Sequence, residues 1–335
     1  MKVLILGGTS FFGREIVRYF VETGHEVTLF TRGTRDRSDL PKHEHLTGNR
    51  ENPADLEKAA NKRRWDIVID NIAFQGDQVK HAIEILKPKK RYLLTSTVSV
   101  YQYARTRCMP LDEDSVDYDY MPAGEDPKNV HWSYCRGKLE AERAVRTQSM
   151  SPWTIIRPTV VYGPRDSKQR GWWYLERLRT GGPILLPDGG HFSFRMVYSK
   201  DVAKLIYTAA TSKRSEEKVY NAAQSEIITL RDFLEVSARA MGVSPTWVSV
   251  PTESLGDWGG TYANLTHFIP DITRAVTDLN FTTTPWERFV EETAHWYLKE
   301  YDGDRSAHLK TRGEELRFAT QWLQATTPFP PQPFS

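Results

Sequence analysis

The chain opens with apolar blocks whose spacing switches between the strand and the helix period. Lys2–Leu6 is a short apolar run that stops at Gly7-Gly8, the pattern of a buried strand. Phe11–Glu22 then places Phe12, Ile16, Tyr19 and Phe20 on one helical face, and Gly24 ends it. Glu26–Thr31 and Asp66–Asp70 read as strands, Gln78–Leu86 as a helix and Tyr92–Thr95 as a further strand. Strands and helices alternating at this interval predict right-handed crossovers, hence an α/β fold with a parallel, doubly wound sheet.

The segment from Gln102 to Val130 breaks the rhythm. It is rich in Asp, Tyr, Pro and Gly, and a loop of this length inside a compact domain points to a functional lid. Trp132–Thr147 resumes as a helix and Trp153–Arg157 as a strand. After Gly163-Pro164 helices and short strands mix without strict alternation, which suits a smaller, mostly C-terminal α+β lobe. The expected division is residues 1–165 as the nucleotide-binding domain with 195–225 returning to it, 166–194 and 226–327 as a substrate lobe, and 328–335 as a Pro-rich frayed tail.

Composition narrows the class. At 39% hydrophobic and 26% charged residues the chain is of the ordinary globular type, and a net charge of +2 builds in no strong field for nucleic acid or a membrane surface. The basic runs Lys62-Arg63-Arg64 and Lys87-Pro88-Lys89-Lys90-Arg91 therefore read as solvated surface. The two cysteines, Cys108 and Cys135, cannot build a disulfide framework. With no run of about 18 apolar residues, a cytoplasmic location is expected. His43 and His45 without clustered Cys or acid read as structural residues, so no metal site is expected. The ten Trp are read mainly as packing, with Trp172-Trp173-Tyr174 open between packing and an aromatic wall for a ligand.

Candidate chemistry begins at Gly7-Gly8-Thr9-Ser10-Phe11-Phe12-Gly13, between the first strand and the first helix. That context suits a turn holding a dinucleotide pyrophosphate at a helix N-terminus, with Gly7 allowing the tight turn and Gly13 a close helix approach. Ser10 stands where a middle glycine is usual. The second strand ends Phe30-Thr31-Arg32-Gly33, with no acid to grip an adenosine ribose; Arg32, followed by Arg35 and Arg37, suits a 2′-phosphate, so NADP is expected over NAD. Further along, Tyr134 and Lys138 are four apart on a helix and share a face. A phenol, with a pKa of about 10, needs a nearby cation to serve as an acid or base at neutral pH, and Lys138 supplies one.

These residues, with the Thr95–Tyr101 run, Arg157-Pro158-Thr159-Val160-Val161-Tyr162-Gly163-Pro164, Pro187-Asp188-Gly189, Val197–Ala203 and Val219-Tyr220-Asn221, resemble the extended or atypical short-chain dehydrogenases/reductases that include the NAD-dependent epimerases/dehydratases. The resemblance implies a Rossmann-type fold, with Thr97, Tyr134 and Lys138 catalytic and Ser96 or Ser99 as fallbacks for Thr97. It implies cofactor contacts from Gly7, Thr9, Ser10, Phe11, Phe12, Gly13, Arg32, Asn71, Lys138 and Arg157. It also implies a small-molecule substrate and a homodimer.

Departures from the pattern bear on the substrate. Val160 stands where nucleotide-sugar members usually carry Asn. Phe194 stands where they often carry an Arg for the diphosphate, with Arg195 one residue late; on a strand that slip turns the side chain to the other face. Thr97 is followed by Val98-Ser99 rather than by the Asp-Glu of 4,6-dehydratases. The reading is an NAD(P)-dependent oxidoreductase or epimerase acting at a carbinol or carbonyl carbon of a sugar or sugar-like compound, with a nucleotide sugar left open. The alternative, suggested by the Gly-Thr-x-Phe-Phe-Gly and Thr-Arg-Gly segments, is a non-catalytic NADP(H)-sensing or RNA-binding module like the chloroplast stem-loop-binding proteins, which lack the Tyr and Lys pair.

Overall fold

The structure, a computed structural model, describes residues 1–126, 128–255 and 267–326. The expected tail 328–335 lies outside the described residues, as do 256–266 and 327 of the expected lobe. The chain divides into two units: residues 1–167, 195–226 and 269–285, and residues 168–194, 227–268 and 286–335.

The first unit runs β1 (Lys2–Leu6), α1 (Phe12–Glu22), β2 (Glu26–Thr31), β3 (Glu44–Thr47), α2 (Pro53–Lys62), β4 (Ile67–Asp70), α3 (Gly76–Leu86), β5 (Arg91–Thr95), α4 (Val130–Thr147), β6 (Trp153–Pro158) and β7 (Val160–Tyr162). The chain enters the second unit with α5 (Trp172–Thr180), β8 (Ile184–Pro187) and β9 (Ser193–Phe194). It returns for β10 (Met196–Tyr198), α6 (Ser199–Thr211) and β11 (Lys218–Ala222). After β12 (Ile228–Thr229), α7 (Leu230–Met241) and β13 (Trp247–Val250) in the second unit, α8 (Thr273–Leu279) belongs to the first, and α9 (Trp286–Lys299) and α10 (Arg312–Thr326) to the second.

Seven parallel strands form the first unit's sheet in the order β11-β6-β5-β4-β1-β2-β3. Because side chains alternate across a strand, Val3 and Ile5 of β1 enter one core with Ile16, Val17 and Phe20 of α1 and Val202, Leu205 and Ile206 of α6. Leu4 and Leu6 enter the other, with Val79 and Ile83 of α3 and Ala141 and Val145 of α4. Strand order reverses between β1 and β4. Carboxyl ends at such a switch point form the crevice of an open α/β sheet.

Two parts of the sequence reading change. β3 and α2 went unnoticed: β3 is a half-exposed edge strand without an apolar run, although Asn52 caps α2 by accepting from Ala54 N and Pro53 opens it. Residues 269–285, expected in the lobe, group with the first unit. Asn221 Nδ2 on β11 donates to Asp271 O at 2.9 Å, Leu111 bridges Pro270, and Leu279 and Phe281 join the core beside α6.

The second unit has its own small parallel pair, β13 with β8, and the antiparallel pair β12 with β9. Trp172 is fully buried against Trp296, Tyr297 and Tyr301, and Tyr174 is buried too, so packing accounts for these two; Trp173 lies against the Arg177 guanidinium. Among the described residues no helix is long and apolar enough to cross a membrane.

Candidate active site and cofactor crevice

The glycine-rich turn is built as a phosphate-holding turn must be. Gly7 and Gly8 both have φ of +96°, a conformation L side chains rarely adopt. A Cβ on Gly13 would come within 2.9 Å of Gly8 Cα, so the close approach Gly13 permits is to the turn itself. No side chain caps α1, whose N-cap is Phe11; Gly13 N and Arg14 N donate to the Ser10 and Phe11 carbonyls at 3.0 Å, and the positive end of the helix dipole faces the turn.

On the neighbouring strand of the sheet, Asn71 follows β4. Its Oδ1 accepts from Thr95 Oγ1 at 2.6 Å, while its Nδ2 is buried with no partner. An orphaned buried amide at the crevice is what a ligand oxygen would satisfy. The turn is pinned from below: Asp70 Oδ2 accepts from Tyr92 OH at 2.7 Å and pairs with Arg50, and its Oδ1 accepts from Ile72 N.

Lys138 is 3% exposed. Its Nζ donates to Ala73 O at 2.7 Å and Thr95 O at 2.9 Å, carbonyls just past β4 and at the end of β5. Burial pushes its pKa down to about 8, against the pull of Asp70 and Glu142. Phe74, which sequence reasoning missed, joins the pair: its ring centroid lies 4.8 Å from Lys138 Nζ and 6.2 Å from the Tyr134 ring. Gly137 makes the approach possible, since a Cβ there would meet Phe74 O at 2.2 Å. Tyr134 is half-buried.

Past β5, Thr97 Oγ1 accepts from Ser99 N and donates to Ser99 Oγ, each at 3.2 Å, capping the turn Val98–Tyr103. Ser96 is not available as a fallback, being buried with its Oγ on Glu142 Oε1 at 2.5 Å. Arg157, expected at the cofactor, is corrected. It is fully buried, and its donors go to Glu142, Tyr101 OH, Glu113 O and Tyr118 OH. Burial alone would raise the Glu142 carboxyl, but Arg157, Ser96 and Tyr118 hold it below the ordinary range. The same network pins the loop expected as a lid at Glu113 and Tyr118. Glu125 pins it again, accepting from Arg136 Nε at 2.9 Å and Tyr103 OH at 3.1 Å.

Arg32 is exposed and does not line the cavity beside the turn. The guanidinium that reaches the turn is that of Arg35, whose Nη1 donates to Ser10 Oγ at 2.6 Å. Arg14, unnoticed in the sequence, donates from Nη1 to Thr9 O at 2.9 Å and Asp36 O at 3.0 Å. Phe194 is buried and Arg195 donates to Pro270 O and Ser225 O. His45 lies in β3 with Nε2 2.9 Å from Thr31 Oγ1, and His43 Nδ1 lies 2.7 Å from Pro41 O.

A family model for the NAD dependent epimerase/dehydratase family matches residues 3–223, the stretch that carries the turn, Lys138 and Tyr134. The chain belongs to that family. Among its relatives, the chloroplast stem-loop binding protein of 41 kDa b of Arabidopsis thaliana is 29% identical over 255 residues, 72% of this chain and 63% of that protein. Two solved structures share the fold. UDP-glucose 4-epimerase of Thermotoga maritima with UDP-glucose aligns over 89% of this chain and 99% of its own at a TM-score of 0.69 and 17% identity. UDP-glucuronic acid 4-epimerase of Bacillus cereus with UDP-glucuronic acid and NAD aligns over 90% and 100% at 0.68 and 18%.

Proposed function

We propose that this family member is an NADP(H)-using epimerase or oxidoreductase acting at a carbinol or carbonyl carbon of a sugar or sugar-like substrate. The observation carrying this reading is the Lys138 cradle. A buried ammonium with two protons on strand-end carbonyls keeps a third for a ligand, one helical turn from Tyr134 and beside the orphaned Asn71 amide. The residues fit a dinucleotide: Gly7 through Gly13 would receive the pyrophosphate, and Asn71 and Lys138 the nicotinamide-side ribose. When bound, the nicotinamide takes or returns a hydride at the substrate carbon. Tyr134 moves the substrate proton, Lys138 favours its phenolate, and Thr97 steadies the reacting oxygen.

NADP(H) is favoured by the absence of an acid at the end of β2 and by the guanidinium groups of Arg14 and Arg35 beside Ser10. Val160, half-buried, and Arg195, committed to carbonyls, argue against the usual diphosphate grip on a nucleotide sugar. The second reading, a module that binds RNA or senses NADP(H), is favoured by the stem-loop binding relative. Against it, Arg91 is buried on Trp153 O, Thr154 Oγ1 and Ser212 O, and Arg63 is paired with Glu26 and Glu44, which breaks up both basic runs.

Tyr134→Phe tests the reading. It should leave dinucleotide affinity intact and lower turnover by roughly two to four orders of magnitude. Lys138→Met should lower affinity and rate together. Full turnover in Tyr134→Phe would take the proton transfer away from Tyr134, whereas no turnover in wild type, with stem-loop RNA bound as well by Lys138→Met as by wild type, would establish the second reading.

A further inference from the structure

Three arginines converge on one carboxylate beside the glycine-rich turn. Arg18 Nη2 lies 3.0 Å from Asp39 Oδ2 and Arg165 Nη1 lies 2.5 Å from the same oxygen, while Arg14 pairs with Asp39 Oδ1. Asp39, Arg14, Arg35, Arg165 and Ser10 line an open cavity of about 460 Å³. Arg14 is 9% exposed and its Nε is buried without a partner, so Asp39 leaves part of its donor set unmet. Burial, then the like charges of Arg165 and Arg18, weakens its hold on its own proton. Two residues lining the cavity are strained: Phe11 has φ of +47° and Arg165 of +64°. Strain of about 1–3 kcal/mol per residue gathers at ligand clamps. Glu15 also answers Arg18, at 2.9 Å, which leaves Arg14 and Arg165 sharing Asp39, and a dianion matches that crowded pair better than one carboxylate.

We propose that Asp39 is an internal stand-in for a cofactor phosphate, holding the arginine cluster until a phosphate dianion of the dinucleotide displaces it. The proposal rests on the dinucleotide reading above and adds a competitor to it. Asp39 sets the charge a ligand must carry to enter: a phosphate dianion recruits Arg14, Arg35 and Arg165, and a neutral ribose does not. Asp36, also on the cavity wall, acts differently, since its main-chain oxygen receives Arg14 and its carboxylate turns to Ser38.

The alternative is that Asp39 only pins its loop, and the two roles differ in sign. Losing a pin weakens every ligand, whereas losing a competing anion tightens anionic ones alone. The full chain is titrated calorimetrically with 2′,5′-ADP, NADPH and adenosine, as wild type, Asp39→Asn, Asp39→Glu and Asp39→Asn/Arg165→Ala. Asp39→Asn should bind 2′,5′-ADP about tenfold tighter, the scale of one relieved charge contact at a partly exposed site. Adenosine should be unaffected, Asp39→Glu should return to wild type, and the added Arg165→Ala should cancel the gain. If wild type binds NADPH and Asp39→Asn binds 2′,5′-ADP no tighter, the competitor is overturned and the cofactor reading stands. If neither protein binds NADPH or 2′,5′-ADP, both are overturned.

Discussion

Two arginine clusters in the same unit solve the burial of positive charge in opposite ways. Arg157 has no exposed surface, and its donors reach Glu142, two tyrosine hydroxyls and the Glu113 carbonyl. Arg14 is almost as buried, yet it shares one carboxylate with Arg18 and Arg165, borders a cavity and keeps an unpaired Nε. A closed network has nothing left to offer a ligand, while an open one is completed by it. Arg157 therefore reads as architecture and Arg14 as part of a binding site, although a strand end in a family motif makes Arg157 the more conspicuous in the sequence.

The largest expected effect comes from opening the closed cluster. Arg157→Met or Glu142→Gln leaves a buried charge or its partners unmatched, which costs about 3–5 kcal/mol. Urea denaturation should register it, and the double variant Arg157→Met/Glu142→Leu should recover much of the loss. Asp39→Asn, at an exposed carboxylate, should change stability by about 1 kcal/mol or less. A loss as large for Asp39→Asn as for Glu142→Gln would erase the distinction between the clusters.

Lys138 lies between the extremes, buried like Arg157 but with a proton to spare. Its folded pKa of about 8 is below the ordinary 10.5, so the unfolded chain holds the extra proton between those values. Stability from this group rises as pH climbs through that window, by on the order of 3 kcal/mol. Dinucleotide affinity moves the other way, falling as pH rises through about 8 and the ammonium is lost. Lys138→Met should flatten both trends in paired denaturation and titration series. A wild-type profile that matches Lys138→Met from pH 7 to 10 would mean that the cradle does not hold a titrating ammonium.

Elements with a continuous local signal were legible: β1 and β2 run over the residues their apolar blocks mark, and α4 carries Tyr134 and Lys138 one turn apart. The losses share one cause, which is that burial is decided by partners far along the chain. Arg157 is removed from the crevice by Glu142 and by Glu113 and Tyr118 of a loop that looks free in sequence. Residues 269–285 join the first unit through Asn221 and Leu111, which no local pattern announces. Phe74 has no motif of its own and matters because Gly137 lets α4 come down on it. Arg14 follows Gly13 directly, and only the fold brings Arg165 and Asp39 to it.

The smallest effect separates two arginines three residues apart. Arg32 occupies the place where an acid would mark an NAD site, but its side chain lies outside the cavity, whereas Arg35, equally exposed, reaches Ser10 at 2.6 Å from the cavity wall. A long, solvated side chain gives up rotamer freedom to hold a phosphate, so an exposed guanidinium contributes about 1 kcal/mol or less. One already placed by a hydrogen bond gives up less. Arg35→Ala should narrow the preference for NADPH over NADH by roughly three- to tenfold, and Arg32→Ala by less than about twofold. Fluorescence titration of both variants with both reduced cofactors decides it. A larger change in Arg32→Ala would move the phosphate site out of the open cluster and onto the loop surface. Equal wild-type affinities for the two cofactors would remove the preference that the cluster is held to create.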